Sequence, residues 1–187
     1  MLLTVRCPAC DRPVSGTCTS CWSLAAAAPR SSVVPAAVAY QGVGRRLLLG
    51  LKYGNGRTLA APLAKRMAAL VEPDTIDVVT WAPTTRVRTR RRGFDQAEQL
   101  ARAVARELGV PCRPLLRRIS RGRPQTGRSR AERSFGPSFV GRRMWRRMRV
   151  LVVDDVVTTG ATLRAAEWAL RRAGASEVVL VAGAATP

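Results

Sequence analysis

Residues 149–163, RVLVVDDVVTTGATL, limit the fold more sharply than any other part of this chain. Their apolar start has the character of a strand that is buried on both faces, as in a parallel sheet. Two adjacent aspartates interrupt the run, and a short polar turn leads into apolar residues at helical spacing. We therefore predict a strand over 149–155 and a helix over 162–174 that ends at Gly174.

The same alternation of strand and helix runs through most of the chain. Further strands are predicted over 36–40, 76–83 and 177–185, and helices over 44–56, 57–71 and 93–109. Such alternation predicts an α/β fold, with a mostly parallel sheet and helices on both faces. The 187 residues suffice for one sizeable core and a small appendage. Residues 24–35 are predicted to be a linker, and the arginine-rich stretch 117–134 a mobile loop or a poorly ordered hairpin.

The acidic pair Asp154 and Asp155 falls at the carboxyl end of its predicted strand, where open α/β sheets bind their ligands. The turn that follows opens a helix whose N-terminal N–H groups attract an anion. Gly160 allows a positive φ and a close approach of the backbone to a phosphate. Since vicinal hydroxyls donate to carboxylates, the pattern favours a ribose 5-phosphate. The diol would meet the aspartates, and the phosphate would bind Thr158, Thr159, Gly160, Ala161 and Thr162.

Three other interpretations of the acidic pair compete with this one. A P-loop needs G-x-x-x-x-G-K-[ST], which does not occur, and no G-x-G-x-x-G follows a strand. A phospho-accepting receiver domain needs a later lysine, and no lysine follows Lys65. A solvated strand end with a polar turn remains open as the structural alternative.

Four of the five cysteines lie near the N-terminus as two C-x-x-C pairs. This spacing suits tetrahedral ligation of zinc in a small knuckle by Cys7, Cys10, Cys18 and Cys21. Two disulfides or four reduced thiols are the alternatives, and disulfides fit poorly with a cytosolic chain. A four-thiolate site is closed and structural. The remaining cysteine, Cys112, is predicted to be a small buried residue.

Charge and the absence of histidine narrow the function classes. The formal net charge is +20, and the pI near 11.7 predicts attraction to nucleic acid, phosphorylated small molecules or anionic lipid. Without histidine, Ser-His-Asp and Cys-His pairs, His-ligated zinc and histidine acid–base relays are excluded. No apolar run reaches the roughly 20 residues of a membrane span, and the first residues lack a secretory pattern. We therefore expect a cytoplasmic protein.

Several motifs together resemble those of the ComF family. They occur in the family's order: the four-cysteine knuckle, LKY at 51–53, a strand ending at Pro83, RRGFDQAEQLA at 91–101, RPQTGRSRAER at 123–133 and VDDVVTTGATL at 153–163. The last resembles the phosphoribosyl-pyrophosphate (PRPP) motif of type I phosphoribosyltransferases. The resemblance implies a type I phosphoribosyltransferase-like domain over 31–187, preceded by a zinc knuckle and linker over 1–30.

The resemblance also implies roles for individual residues. Asp154 and Asp155 would bind the ribose hydroxyls, and Thr158–Thr162 the 5′-phosphate of PRPP. Thr84, Thr85 and Arg86 would lie where these enzymes hold pyrophosphate with Mg²⁺. The other matching positions are Arg92 and Gln96, which would face the site, and Lys52 and Tyr53, which have no assigned role. Two positions depart from the family pattern: Asp95 replaces its usual asparagine, and the asparagine that commonly follows Arg133 is missing.

Two functions are compatible with these expectations. One is the binding of PRPP or another ribose 5-phosphate with Mg²⁺, with phosphoribosyl transfer if the protein is an enzyme. No catalytic residue is assigned. The other is a catalytically silent zinc-finger adaptor that binds single-stranded DNA. The resemblance implies a link to competence and DNA uptake, or to nucleotide salvage.

Overall fold

A computed structural model of the chain describes residues 5–14, 18–30, 32–53, 56–72, 74–85, 87, 89–90, 93–119, 137–144 and 146–187. The strands in these ranges are β1 (Val5–Arg6), β2 (Pro13–Val14), β3 (Ala36–Ala39), β4 (Val78–Trp81), β5 (Leu116–Ile119), β6 (Ser138–Gly141), β7 (Arg149–Val157) and β8 (Glu177–Ala185). The helices are α1 (Thr19–Leu24), α2 (Gly42–Tyr53), α3 (Gly56–Ala68), α4 (Gln96–Glu107) and α5 (Ala161–Arg172).

The central sheet is parallel throughout, with the strand order β3–β8–β7–β4. Its inner strand β7 starts with the apolar run Val150–Val153, in which every side chain is buried. Successive side chains point to opposite faces, so Leu151 and Val153 belong to one core cluster and Val150 and Val152 to the other. The mostly parallel sheet that the alternating pattern predicts is therefore confirmed.

Helices cover both faces of this sheet, as predicted. On one face, α2, α3 and α4 bury leucines that have no exposed surface: Leu47, Leu63 and Leu100. On the other face, α5 and the hairpin of β5 and β6 bury Leu163, Leu170 and Phe139. None of the helices in the described ranges has both the length and the apolar character needed to cross a membrane.

The N-terminal knuckle packs on the helical layer. β1 and β2 form a short antiparallel pair, and α1 follows them. Cys7, Cys21 and Trp22 are buried in the same core cluster as α2 and α3. Gly50 of α2 lies so close to Pro8 that a Cβ there would be 2.4 Å from the proline Cγ. The domain boundary between residues 30 and 31 stays a prediction, and the two parts share apolar contacts across it.

Most predicted elements shift by a few residues at their ends, and three of the differences have a clear structural cause. β7 continues past residue 155 to Val157, because β8 pairs with it up to that residue. The helix predicted to start at residue 93 begins at Gln96, because the Asp95 side chain caps it. Within the predicted linker, Val34 is buried and the Ala26 carbonyl accepts a hydrogen bond from β3, so this stretch is tied to the sheet edge.

The arginine-rich stretch begins inside a strand. Residues 116–119 form β5, which pairs in antiparallel register with β6, and residues 120–136 lie outside the described ranges. Gly141 brings the end of β6 directly against α5, since a Cβ there would be 2.6 Å from the Ala169 carbonyl oxygen. The hairpin is thus part of the layer that covers one face of the sheet.

Candidate functional site

β7 is longer than its neighbour β4, and this difference opens the site. The last pair between the two strands joins Trp81 to Val153, and the Ala82 N–H donates to the Val153 carbonyl at 3.1 Å. Beyond that point the pairing of β7 continues on the β8 side, from Asp154 to Val157. The edge of β7 that carries the acidic pair therefore borders open space at the carboxyl end of the sheet, where α/β folds bind ligands.

A pocket of about 180 Å³ occupies this space. Five separate segments of the chain line it: Ala82, Thr84, Asp95, Gln96, Ala97, Arg118, Asp154, Asp155, Val156 and Thr162. Of the residues predicted from the sequence, the pocket joins the acidic pair to Thr84, Gln96 and Thr162. Sequence reasoning gave no role to Asp95 or Arg118, and both also line the pocket.

Each aspartate of the acidic pair accepts a hydrogen bond from the next backbone amide. The Asp155 N–H donates to Asp154 Oδ1 and the Val156 N–H to Asp155 Oδ1, both at 2.8 Å. Burial raises the pKa of Asp154 well above its usual range, and the charge of Asp155 adds to this effect. The nearby charge of Asp95 acts in the same direction. The pocket therefore favours a ligand that donates hydrogen bonds or brings positive charge to Asp154.

The loop after β7 has a backbone suited to an anion. Gly160, the N-cap residue of α5, has φ 74° and ψ 1°, in the left-handed region that a side chain disfavours. A Cβ there would be 2.7 Å from Arg164 Nη1 and 3.0 Å from Val33 Cγ2. The Arg164 guanidinium donates to the Thr159 carbonyl at 2.6 Å. The first turn of α5 thus places backbone N–H groups and a guanidinium beside the same loop.

Asp95 links two of the segments that line the pocket. One carboxylate oxygen accepts from the Ala97 N–H at 3.0 Å and so caps α4, and the other accepts from the Thr84 N–H at 2.9 Å. Burial raises the pKa of this carboxyl, and the backbone hydrogen bonds oppose the shift. The signal in the sequence is an N-cap aspartate followed by Glu98 three residues later, the spacing of a capping box.

Arg118 of β5 brings positive charge to the pocket. Its Nη1 donates to the Pro83 carbonyl at 3.2 Å, and its guanidinium carbon lies 5.6 Å from the centre of the Phe139 ring. These two contacts hold the side chain between the loop after β4 and the facing strand of the hairpin. In the sequence, Arg118 is one of several neighbouring arginines. Side chains two positions apart in a strand lie on the same face, so the buried Leu116 is the sequence signal that Arg118 also faces inward.

The remaining predicted site residues are not among those that line the pocket. Thr158 and Thr159 are exposed, and the Thr85 carbonyl accepts from the Thr89 N–H at 3.0 Å. Residues 86 and 92 lie outside the described ranges. Lys52 and Tyr53 form the end of α2, and their side chains are not among those described. The structure thus brings together part of the predicted set, and the roles of Arg86, Arg92, Lys52 and Tyr53 stay predictions.

The four knuckle cysteines form a cluster with the geometry of a metal centre. The Sγ atoms of Cys7, Cys10, Cys18 and Cys21 all lie within 4.8 Å of one another. Those of Cys10 and Cys18 are 3.8 Å apart. Zn–S bonds of about 2.3 Å in a tetrahedron require sulfur atoms roughly 3.8 Å apart. The donor set therefore fits a zinc ion, and the cluster can hold a metal of this kind.

The surroundings of the cluster also favour a bound cation. A hydrogen bond from the Arg12 backbone N–H lowers the pKa of Cys10 to about 6, which favours its thiolate. Burial raises the pKa of Cys21, so this thiol needs a positive charge to ionise at neutral pH. Cys7, Cys18 and Cys21 are buried, and Cys10 is exposed on one side of the cluster. A metal held here serves structure rather than catalysis.

The phosphoribosyl transferase domain family matches residues 95–187, which run from the α4 cap through β7 and the Gly160 turn to β8. Competence protein F of Haemophilus influenzae is 33% identical over 126 residues, which make up 64% of this chain and 54% of that protein. The chain belongs to the ComF family. It spans about half the length of this ComF relative.

The ComF chain also resembles solved structures. An allosteric regulatory enzyme of purine biosynthesis superposes with a TM-score of 0.51 at 22% identity, over 75% of the ComF chain and 30% of the enzyme. Glutamine PRPP amidotransferase from B. subtilis, complexed with ADP and GMP, gives a TM-score of 0.49 at 24% identity, over 73% and 30% of the two chains. With the domain match, the first likeness shows that the fold is of the phosphoribosyltransferase type.

Proposed function

We propose that this ComF-family protein binds PRPP, or another ribose 5-phosphate, together with Mg²⁺ in the pocket beside β7. One observation carries the proposal: an acidic pair and a left-handed glycine at a helix N-terminus border the same open end of a parallel sheet. A helix N-terminus favours phosphate, and carboxylates favour the hydroxyls of a sugar. A ribose 5-phosphate carries both groups. The domain match over 95–187 supports the same substrate class.

In this proposal each part of the substrate has its own partner. Asp154 and Asp155 accept hydrogen bonds from the 2′- and 3′-hydroxyls, and Thr158–Thr162 holds the 5′-phosphate. The loop 84–86 and the Arg118 guanidinium hold the pyrophosphate. Mg²⁺ prefers hard oxygen ligands, and it fits a pocket that is lined by three carboxylates and receives a phosphorylated substrate.

The reaction that such a site serves is phosphoribosyl transfer. The bond between the anomeric carbon and pyrophosphate breaks, its electron pair leaves with pyrophosphate, and an acceptor nitrogen that loses a proton bonds to that carbon. Positive charge develops on the sugar beside Asp154, and negative charge on the leaving group beside Arg118. Positioning and charge stabilisation carry this chemistry, so the absence of histidine is compatible with it.

We assign the four knuckle cysteines a structural zinc ion, on the fit between their sulfur spacing and a tetrahedral zinc centre. The similarity to competence protein F supports a role in the handling of incoming DNA, with nucleotide salvage as the alternative. A cytoplasmic location stays a prediction.

Calorimetric titration of PRPP with Mg²⁺ tests the ribose-phosphate site. We expect the wild type to bind near micromolar strength. Asp154→Asn/Asp155→Asn should weaken binding at least a hundredfold, because the sugar hydroxyls lose two charged acceptors. Glu72→Gln/Asp74→Asn, which makes the same change of charge before the amino end of β4, should bind as the wild type does. The proposal fails if folded, zinc-loaded wild type shows no heat of binding, or if the two double variants behave alike.

A second titration separates the two halves of the proposed substrate. Arg118→Ala should weaken PRPP binding about tenfold, because the variant has no guanidinium to donate charge-assisted hydrogen bonds to pyrophosphate. Its affinity for ribose 5-phosphate should stay close to that of the wild type. Equal losses of affinity for both ligands would assign Arg118 to the architecture of the pocket and not to pyrophosphate.

A further inference from the structure

One peptide group at the edge of the pocket is held from both sides. It joins Pro83 to Thr84, at the start of the loop after β4. Its carbonyl oxygen accepts from Arg118 Nη1 at 3.2 Å, and its N–H donates to Asp95 Oδ2 at 2.9 Å. Thr84, Asp95 and Arg118 all line the pocket. A guanidinium and a backbone N–H, two groups well suited to an anion, are therefore already engaged within the protein.

Asp95 holds this N–H because its carboxylate has two acceptor oxygens. Oδ1 accepts from the Ala97 N–H at 3.0 Å and caps α4, which leaves Oδ2 for Thr84. An asparagine that kept the cap with its single oxygen would turn its NH₂ group toward the Thr84 N–H, and two donors do not bond to each other. The contact with Thr84 is thus specific to aspartate at this position.

The Asp95 carboxylate also adds negative charge to the pocket. The residue is buried, and its charge contributes to the raised pKa of Asp154. The field of Asp95 therefore extends to the acidic pair. Like charges repel more strongly in a buried site than in water. A polyanion that enters beside Asp95 is repelled, whereas the neutral hydroxyls of a sugar are not.

We propose that Asp95 is a specificity-determining residue that weakens the binding of pyrophosphate, so that this product leaves after phosphoribosyl transfer. The inference rests on the proposed function and gives Asp95 a part in product release, a step that limits the turnover of many enzymes. While Asp95 holds the Thr84 N–H, pyrophosphate lacks that donor and faces the carboxylate charge. The ribose 5-phosphate part of the substrate binds at the acidic pair and the Gly160 turn, so Asp95 affects the two parts unequally.

Calorimetric titration of inorganic pyrophosphate at pH 8, with and without Mg²⁺, tests the inference. Asp95→Asn and Asp95→Ser both keep a good N-cap residue for α4, so neither should unfold at a lower temperature than the wild type. We expect each variant to bind pyrophosphate about tenfold more tightly, because the Thr84 N–H becomes available for a charge-assisted hydrogen bond. Stopped-flow measurements should show the gain as slower release of pyrophosphate. The affinity for ribose 5-phosphate should stay within about twofold of the wild type.

Glu98→Gln separates the contact with Thr84 from the general effect of charge. Glu98 lies in the first turn of α4, three residues after Asp95, and its carboxylate pairs with Arg102 at 2.7 Å. The substitution removes a negative charge from the same turn and leaves both oxygens of Asp95 in place. Its affinity for pyrophosphate should stay within about twofold of the wild type, because this ion pair is largely exposed to solvent.

Four results would overturn the inference. They are unchanged or weaker pyrophosphate binding by folded Asp95→Asn, equal gains in Asp95→Asn and Glu98→Gln, an equal gain for ribose 5-phosphate and pyrophosphate, and a loss of affinity in Asp95→Asn that appears only with Mg²⁺. The last result would make Asp95 a metal ligand.

The same titrations distinguish failure of the inference from failure of the proposed function. A wild type that binds neither ribose 5-phosphate nor pyrophosphate would refute the proposed function, and the inference with it. A wild type that binds ribose 5-phosphate, together with an Asp95→Asn protein that gains nothing for pyrophosphate, would refute the inference alone.

Discussion

The cysteine knuckle and the acidic pocket both hold charged groups close together, and they are built in opposite ways. The knuckle takes its four sulfurs from residues 7–21, within one short stretch of chain. The pocket takes its lining from five segments between residues 82 and 162, and β4, β7 and the hairpin of β5 and β6 must all be in place to assemble it. A local motif can therefore be recognised without the fold, whereas the pocket exists only as a product of the fold.

The two regions also differ in their electrostatic state. A backbone hydrogen bond lowers the pKa of Cys10 to about 6, so the knuckle partly prepares its thiolates for a metal. In the pocket, burial and the charge of Asp155 raise the pKa of Asp154. The ionised Asp154 therefore lowers the free energy of unfolding until a ligand binds to it. The knuckle is thus expected to stabilise the protein and the pocket to reduce its stability.

The largest effect is expected from breaking the knuckle. Cys21→Ser removes a buried ligand and should lower the free energy of unfolding by more than about 4 kcal/mol, because loss of a structural metal also loosens the packing of Trp22. Zinc content and chemical denaturation measure the two consequences. Cys112→Ser, outside the cluster, should keep one zinc per chain. A Cys21→Ser protein with full zinc and unchanged stability would contradict the assignment.

A smaller effect is expected where the knuckle meets α2. A Cβ on Gly50 would be 2.4 Å from Pro8 Cγ and 3.0 Å from Leu59 Cδ1, so Gly50→Ala should cost about 1–3 kcal/mol despite the better helix propensity of alanine. Urea denaturation of a double-mutant cycle with Pro8→Ala checks the cause. The cost should shrink in the Pro8→Ala background. An equal cost in both backgrounds would place the strain elsewhere.

A comparable test for the pocket compares two glycines with positive φ, Gly160 beside the pocket and Gly109 away from it. Gly160→Ala and Gly109→Ala should each cost about 1–2 kcal/mol of stability, since φ is 74° at one and 68° at the other. A Cβ on Gly109 meets nothing within 4 Å, and Gly109 follows the C-terminal end of α4, whereas Gly160 caps the helix that carries Thr162 of the pocket. Calorimetry should therefore show that Gly160→Ala alone weakens PRPP binding. Equal affinities of the two variants for PRPP would show that phosphate binding does not depend on the conformation of Gly160.

The smallest expected change is a gain. Because the folded pKa of Asp154 is raised, the folded state binds its proton more tightly, and stability is lost as pH rises above the unfolded value of about 4. Asp154→Asn should therefore be more stable than the wild type at neutral pH, where the wild-type carboxyl is held at a cost. The difference should vanish below pH 4.

Denaturation curves at several pH values measure this gain, and Asp77 supplies the control. Hydrogen bonds from Arg149 lower the pKa of Asp77 to about 2, so its contribution to stability is lost as pH falls toward that value. Asp77→Asn should therefore be less stable than the wild type at neutral pH, with a difference that shrinks in acid. A pH-independent gain in Asp154→Asn would contradict the electrostatic origin.

These results also show which parts of the molecule the sequence could reveal. The parallel sheet and the helices on both faces followed from periodicity, and the metal cluster followed from cysteine spacing, because both signals are local. The acidic pair and Gly160 followed from a contiguous motif. Arg118 looked like any arginine in a solvated run, and only its pairing in β5 and its contact with Phe139 direct it to the pocket.

Asp95 and Trp168 illustrate the two ways in which local reasoning falls short. Asp95 stood out as an unexpected negative charge, and its role depends on Thr84, which the sheet brings beside it. Trp168 lies in a helix whose apolar spacing suggests burial, and the core closes without it. For Asp95, the deciding contact joins elements that are distant in sequence. For Trp168, the packing of the whole layer leaves the side chain outside the core.

The position of β8 in the sheet affects how the chain can fold while the ribosome synthesises it. In the sheet as the described residues form it, β8 lies between β3 and β7. β3 therefore has no neighbouring strand until β8 is made, and residues 40–176 are synthesised in the interval. At roughly 5–20 residues per second, this interval is on the order of ten seconds. During that time the apolar edge of β3 and the core sides of α2 and α3 lack the sheet that covers them. Early zinc capture by the knuckle would give the nascent chain its first fixed structure, and chaperone capture should be strongest in this window.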